Sequence, residues 1–292
     1  MKIDVLEIAK KNFDRRKFLR AGGIAGIGVA ATTLVGGTTT SLAQGLTPQS
    51  SSGGVQDPVT KDTPAEIFTA ALIAEDLATT FYYNGLVGPV IQDPNLAGPG
   101  GTATHVTASG NFGNVDYLRA ALSEEIAHAD LFRALLGISG PAQDPVQTFY
   151  FPAGVFDTLG PFIATLEALE NAFIGAYLNA VVEFARMSTV AGKGSNYTWE
   201  QLDYYSEVAA SILGVESEHR VLGRVISNSN PANNRNYEAV DGINSVYNGS
   251  HSAVVALTPF LTASTGPAYS FADAIANAAS VSAKVGGGLP PN

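Results

Sequence analysis

The chain has no cysteine among its 292 residues. That excludes disulfides, thiolate metal sites and iron–sulfur clusters, and leaves carboxylate and imidazole as the ligating groups. Histidine is scarce, at four. Basic residues are scarce beyond the N-terminus. Residues 1–43 hold seven of the 16 Lys/Arg and three of the 26 Asp/Glu, a net +4. The remainder therefore carries a net -14. Such a body repels nucleic acid and anionic membrane, so neither is expected as a partner. No phosphate-binding loop, nucleophile triad or internal repeat stands out, beyond two pseudo-equivalent helix pairs. What remains is a normal hydrophobic fraction, 46%, enough for a sizeable core in one large domain.

The N-terminus has the layout of a secretory signal. A basic stretch ends in Asp14-Arg-Arg-Lys-Phe-Leu-Arg20. A weakly apolar run rich in Gly, Ala and Thr follows, to about Val35. Ser41-Leu-Ala43 then supplies small residues at the -3 and -1 positions of a cleavage site. The paired arginines resemble the twin-arginine export signal, although Asp14 stands where Ser or Thr is usual. The apolar run is too short and too rich in Gly and Thr for a stable membrane span of about 20 residues. The expectation is a protein that meets the twin-arginine export machinery, is cut near Ala43, and is periplasmic or extracellular. Residues 44–62 read as a flexible polar leader.

Four helices are expected next, each with a polar intrusion in its apolar face. The first starts at Thr63-Pro-Ala-Glu66, a capping box with proline in the first turn, and runs to about Asn84-Gly85. On its wheel Glu75 shares a face with Phe68, Ala71, Leu72, Ala78, Thr79 and Tyr82. A carboxylate there is costly to bury unless it is paired or bound to a cation. The second helix spans about Asn114–Leu136 and stops at Gly137. It sets Glu125 and His128 among Leu118, Ala121, Leu122, Ala129 and Phe132. Glu124 is turned about 100° away and reads as a surface charge. The third runs from about Thr158 to Val190, with Glu170 between Leu166, Phe173 and Tyr177. The fourth opens with the capping box Thr198-Trp-Glu-Gln201 and carries Glu216 and His219. Long connections, 87–113 and 138–157, join the first three helices. Residues 229–292 form a C-terminal extension that either packs on the bundle, through short helices near 254–260 and 271–285, or is partly disordered. His105 and His251 read as solvated or structural.

Two of the four histidines thus follow a glutamate by three residues, a spacing that puts both side chains on one helix face. The glutamates are 50, 45 and 46 residues apart, one helix plus one connection each time. The order Glu, Glu-x-x-His, Glu, Glu-x-x-His is the pattern by which four-helix bundles hold carboxylate-bridged pairs of metals. Tyr82 and Tyr177 each follow a candidate ligand by seven residues. They pack with a satisfied hydroxyl, bond to ligands, or relay an electron. Glu167 is a solvated edge charge, a supporting acid or an alternative ligand. Arg220 could offset ligand charge.

The stretches Ala74-Glu-Asp-Leu-Ala-Thr-Thr-Phe-Tyr82, Glu124-Glu-Ile-Ala-His128, Leu169-Glu-Asn-Ala-Phe-Ile-Gly-Ala-Tyr177 and Leu213-Gly-Val-Glu-Ser-Glu-His219 resemble the ferritin-like superfamily. More narrowly, they resemble exported bacterial ferritin-like proteins related to desiccation-related proteins. The resemblance covers residues 63–228. It implies an all-α, ferritin-like four-helix bundle with long inter-helix connections and a C-terminal extension. It implies Glu75 and Glu170 as terminal or bridging carboxylates, Glu125 and Glu216 as bridging or flanking ones, and His128 and His219 each on one metal. The cofactors would be two ions of iron or manganese.

Three functions are compatible with that reading. The first is redox chemistry on ferrous iron, dioxygen or peroxide, with a small-molecule oxidant or metal ion as partner. In a manganese-catalase-like variant, the resemblance makes Glu216 an acid/base beside the metals. The second is a non-catalytic stress or envelope protein using the bundle as a scaffold. The third, a storage cage, fits poorly with the long insertions and the extension.

Overall fold

Helix α1 (Pro64–Val87) begins at the capping box read from the sequence. Thr63 N–H donates to the Glu66 carboxylate at 2.9 Å, and Glu66 N–H donates to Thr63 Oγ1 at 3.3 Å. These bonds satisfy donors that a helix start otherwise leaves open. This computed structural model describes residues 62–97, 114–188, 197–227 and 253–282. The signal assigned to 1–43 and all but the last residue of the leader assigned to 44–62, together with His105 and His251, lie outside those residues.

Three more long helices follow: α2 (Asn114–Leu136), α3 (Leu159–Ser188) and α4 (Trp199–Ile226). Helix α4 opens on the second expected capping box, with Thr198 N–H donating to Gln201 at 2.9 Å. Helix α2 ends where Gly137 takes φ of 71°, a left-handed conformation that glycine adopts without steric cost. Helix α1 runs past its expected end at Gly85. Phe162 explains why. A Cβ on Gly85 would lie 2.5 Å from Phe162 Cε2, so the glycine makes room for a ring instead of ending the helix.

Most packing is within the pairs α1/α2 and α3/α4. The connection between the pairs is more than the long link expected. It contains a short strand, β1 (Thr148–Tyr150), paired antiparallel with β2 (Ala268–Ser270) of the C-terminal extension. Phe149 faces Tyr269 across the pair. Gly266 passes so near Phe151 that an added Cβ would meet the Phe151 carbonyl oxygen at 2.0 Å. Helix α5 (Phe271–Ser282) follows β2 and packs on α1 and α2. A helical turn, Ala253–Leu257, packs on α3. Between α1 and α2 the described part of the connection holds a 3-10 turn at Pro89–Gln92 and a short turn at Pro94–Ala97. Among the described residues no helix is long and apolar enough to cross a membrane.

The core has an aromatic cluster towards each end. Phe81 stacks on Phe162 with centroids 4.9 Å apart, beside Phe151, Phe156 and Tyr269. Phe68 meets Phe132, Phe184 and Tyr205. Phe68 and Phe81 sit about two turns before and after Glu75 along α1, so the polar layer lies between the clusters.

A buried ion network sews the extension to the bundle. Arg133 of α2 donates to Asp76 of α1 at 2.8 Å and to Asp144 of the α2–α3 link at 2.6 and 2.8 Å. Its guanidinium also lies 5.8 Å from the centroid of the Phe271 ring at the start of α5.

Candidate metal centre

All six residues on the apolar helix faces converge in the polar layer. Two groups of potential ligand atoms form there, each with its members within 4.8 Å of one another. One is Glu75, Glu125, His128 and Glu216, and the other is Glu125, Glu170, Glu216 and His219. Glu125 and Glu216 belong to both, because α2 and α4 each bring a Glu-x-x-His pair to the middle. His128 Nδ1 lies 3.2 Å from Glu75, 3.7 Å from Glu125 and 3.5 Å from Glu216. His219 Nδ1 lies 3.1 Å from Glu125, 3.5 Å from Glu216 and 4.0 Å from Glu170. Both imidazoles thus present the same nitrogen to the layer.

The tyrosines are reciprocal. Tyr82 of α1 donates its hydroxyl hydrogen to Glu170 of α3 at 2.5 Å, and Tyr177 of α3 donates to Glu75 of α1. Seven residues of helix rise about 10 Å. Each tyrosine can reach the other helix's glutamate only if α1 and α3 run in opposite directions. The two halves of the site are therefore related by an approximate two-fold arrangement. Both rings pack in the core with their hydroxyls satisfied, and the partners that satisfy them are candidate ligands.

The sequence profile described as "Ferritin-like domain" matches residues 63–228, more than half of the chain. The chain belongs to the ferritin-like domain family. Comparison with curated proteins gave no match, and comparison with solved structures gave none. The matched span covers α1 to α4 and ends just before the extension, so the all-α ferritin-like bundle is the body of the described structure.

The ligand set of this ferritin-like bundle suits metal cations on its own chemistry. Glu125 and Glu216 are fully buried. Neither has a hydrogen-bond partner on either carboxylate oxygen, and Glu170 Oε2 and His219 Nδ1 also lack one. Each such orphan costs about 1–3 kcal/mol in a protein interior. Five carboxylate oxygens and one imidazole nitrogen without a hydrogen bond, crowded in shared space, are what cations satisfy. The donors are oxygen and nitrogen without sulfur.

The electrostatics make the same demand for positive charge. Burial pushes the Glu75 carboxyl well above its ordinary range, and Glu125 and Glu216 push it further. Glu170 is raised by burial and then by Glu216. Burial alone would also raise Glu125, but His128 and His219 outweigh it and hold that carboxyl below its ordinary range. Burial opposes a charged imidazole, yet Glu125, Glu216 and Glu75 push His128 up to about 12. His219 is raised well above its ordinary value despite its burial, first by Glu124 and then by Glu125 and Glu216. Glu75, Glu170 and the two imidazoles left to themselves therefore hold protons, and Glu125 does not. A metal ion entering the layer must displace them.

The structure adds a contact at Glu124. Glu124, read as a surface charge, has a side chain 49% exposed, yet its Oε2 lies 2.7 Å from His219 Nε2. With the proton on Nε2 donated to Glu124, the Nδ1 lone pair faces the layer. The adjacent glutamates Glu124-Glu125 were the available sign of this. The contact itself depends on how α2 and α4 align. Glu167 is in neither ligand group. It accepts a hydrogen bond from Ser227 at 3.4 Å and lies near the charges of Arg224 and Arg220. Arg220 donates to Asn171 at 3.3 Å, on the α3/α4 seam.

Proposed function

We propose that this ferritin-like bundle holds two iron or manganese ions and performs redox chemistry on ferrous iron, dioxygen or peroxide. One observation carries the reading: two four-residue ligand groups share Glu125 and Glu216, whose oxygens are buried without hydrogen-bond partners. Two shared carboxylates favour a pair of neighbouring ions: Glu75 and His128 would help hold one, Glu170 and His219 the other, and Glu125 and Glu216 would serve both. A bound pair of redox metals would supply a two-electron couple. The protein's part is to fix the ligands, exclude water and manage protons. Tyr82 and Tyr177 hold Glu170 and Glu75 in place, and Glu124 fixes the tautomer of His219. The apolar clusters on both sides keep the layer dry, which strengthens every charge interaction within it.

The deciding experiment is elemental analysis of the purified protein, followed by ferrous-oxidation and peroxide-breakdown assays. About two metal ions per chain with turnover in either assay supports the reading. Well-folded protein that takes up no metal when offered both ions would overturn it and leave the scaffold reading. We also assign export through the twin-arginine route, on residues 1–43 alone. N-terminal sequencing of protein recovered outside the cytoplasm should start near Gln44. A mature protein that starts at Met1 would contradict this.

A further inference from the structure

A second internal space lies beside the metal layer and is separate from it. It is a cavity of about 220 Å³ between α1 and α3, on the Phe68 side of the layer. Its walls are small where the helices face each other, at Ala70, Ala71, Ala176 and Ala180, which is why the space exists. Phe132, Phe173, Phe184 and Tyr177 also line it. Ala253, Leu257 and Leu261 of the C-terminal extension cover it. An apolar cavity of about 150 Å³ accepts benzene, so this one has room for roughly eight or nine heavy atoms.

The rim is charged with one sign. Asp62, Glu66 and Glu183 line the cavity, and no lysine, arginine or histidine is among the described residues that do. An anionic head group would be repelled there, and a cationic one would sit close to two or three carboxylates. Apolar walls with an acidic rim suit an amphiphile of one charge sign.

The geometry points to a binding site for a small apolar molecule that carries an ammonium group, with its hydrocarbon part between α1 and α3 and its charge at Asp62, Glu66 and Glu183. This goes beyond the metal reading and does not rest on it, because none of the six candidate ligands lines the cavity. Its position gives the C-terminal extension a role, since three of that segment's residues wall the site. It also places a bound molecule against the ring of Tyr177, whose hydroxyl holds Glu75.

The test is calorimetric titration of the full chain with hexylammonium, hexanol and hexanoate, on metal-free and metal-supplemented protein in parallel. Hexylammonium should bind both samples at least tenfold more tightly than hexanoate or hexanol, and the preference should shrink as salt rises. Ala71→Phe should fill the space and abolish binding. Asp62→Asn with Glu66→Gln keeps the capping box in its Thr/Gln form and leaves the cavity open. That variant should weaken hexylammonium binding by about 3- to 30-fold and leave hexanol unchanged. Circular dichroism checks that both variants fold. If Ala71→Phe fails to fold, the double variant still decides. No hexylammonium binding at millimolar concentration would overturn the proposal. So would hexanoate or hexanol binding as tightly, or hexylammonium affinity unchanged in the double variant. Binding to protein that never takes up metal would leave this site standing and sink the redox reading alone.

Discussion

Glu124 lies off the ligand face of its own helix and is half exposed, yet its carboxylate grips the outer nitrogen of His219 on α4. A carboxylate in that position orients a ligating imidazole and raises its basicity, and removing one typically costs 10–100-fold in metal affinity. Glu124→Ala should therefore lower metal affinity by about 10- to 100-fold while helix content holds. Glu124→Gln should retain part of the affinity, because an amide oxygen still accepts from Nε2–H. Competition with a chelator of known affinity measures both, and an alanine variant as tight as the parent would remove Glu124 from the site. The contrast with Glu125 shows what can be read from sequence at this scale. Glu125, His128, Glu216 and His219 were visible because their spacing is a property of one helix, and Glu75 and Glu170 because each breaks an apolar stripe. Glu124 was not, since its partner belongs to another helix. Glu167 stood on the edge of the correct face by its wheel position, but the register of α3 against α4 turned it towards Ser227.

Among the elements, the junction of α1, α2, the α2–α3 link and α5 depends on Arg133. Its guanidinium serves two buried carboxylates, Asp76 and Asp144. One cation does not balance two anions, and burial dominates at Asp144, whose carboxyl is raised despite Arg133. A carboxyl raised in the folded state contributes stability that is full below its unfolded pKa, about 3.9, and is lost as pH rises through the folded value. Wild-type stability should thus fall from this group as pH climbs from about 4 towards neutrality. Asp144→Asn keeps an oxygen for Arg133 and removes the titration, so its urea-derived stability should vary less over that range. An identical pH slope in both proteins would contradict this account. Arg133→Met leaves two buried acids without their cation and should cost about 3–5 kcal/mol. The four long helices were legible from apolar periodicity and two capping boxes. The β1–β2 pair was not. Each strand is three residues long, too short for an alternating pattern, and its partner is more than a hundred residues away in the chain.

For the molecule as a whole, the metal layer sets a relation between stability and metal. The four helices each contribute a buried acid, and the aromatic clusters above and below prevent water from solvating them. Cations that bind the folded layer and not the unfolded chain stabilise the fold by mass action. The gain is about 2.7 kcal/mol at a free concentration one hundredfold above Kd. For a bundle of this size that corresponds to a rise in Tm of about 5–10 °C. Glu125→Ala with His128→Ala removes one shared carboxylate and one imidazole, so the rise should vanish. The variant's own metal-free Tm should change much less, because the carboxylate and an imidazole that offsets its charge leave together and no unpaired buried charge remains from them. Calorimetric scans of both proteins, with manganese, with ferrous iron under anaerobic conditions and with chelator, measure this. A double variant whose Tm still rises with metal as the parent's does would mean that the stabilising ion binds elsewhere. An equal Tm for the parent with metal and with chelator would mean that the layer is held by protons alone.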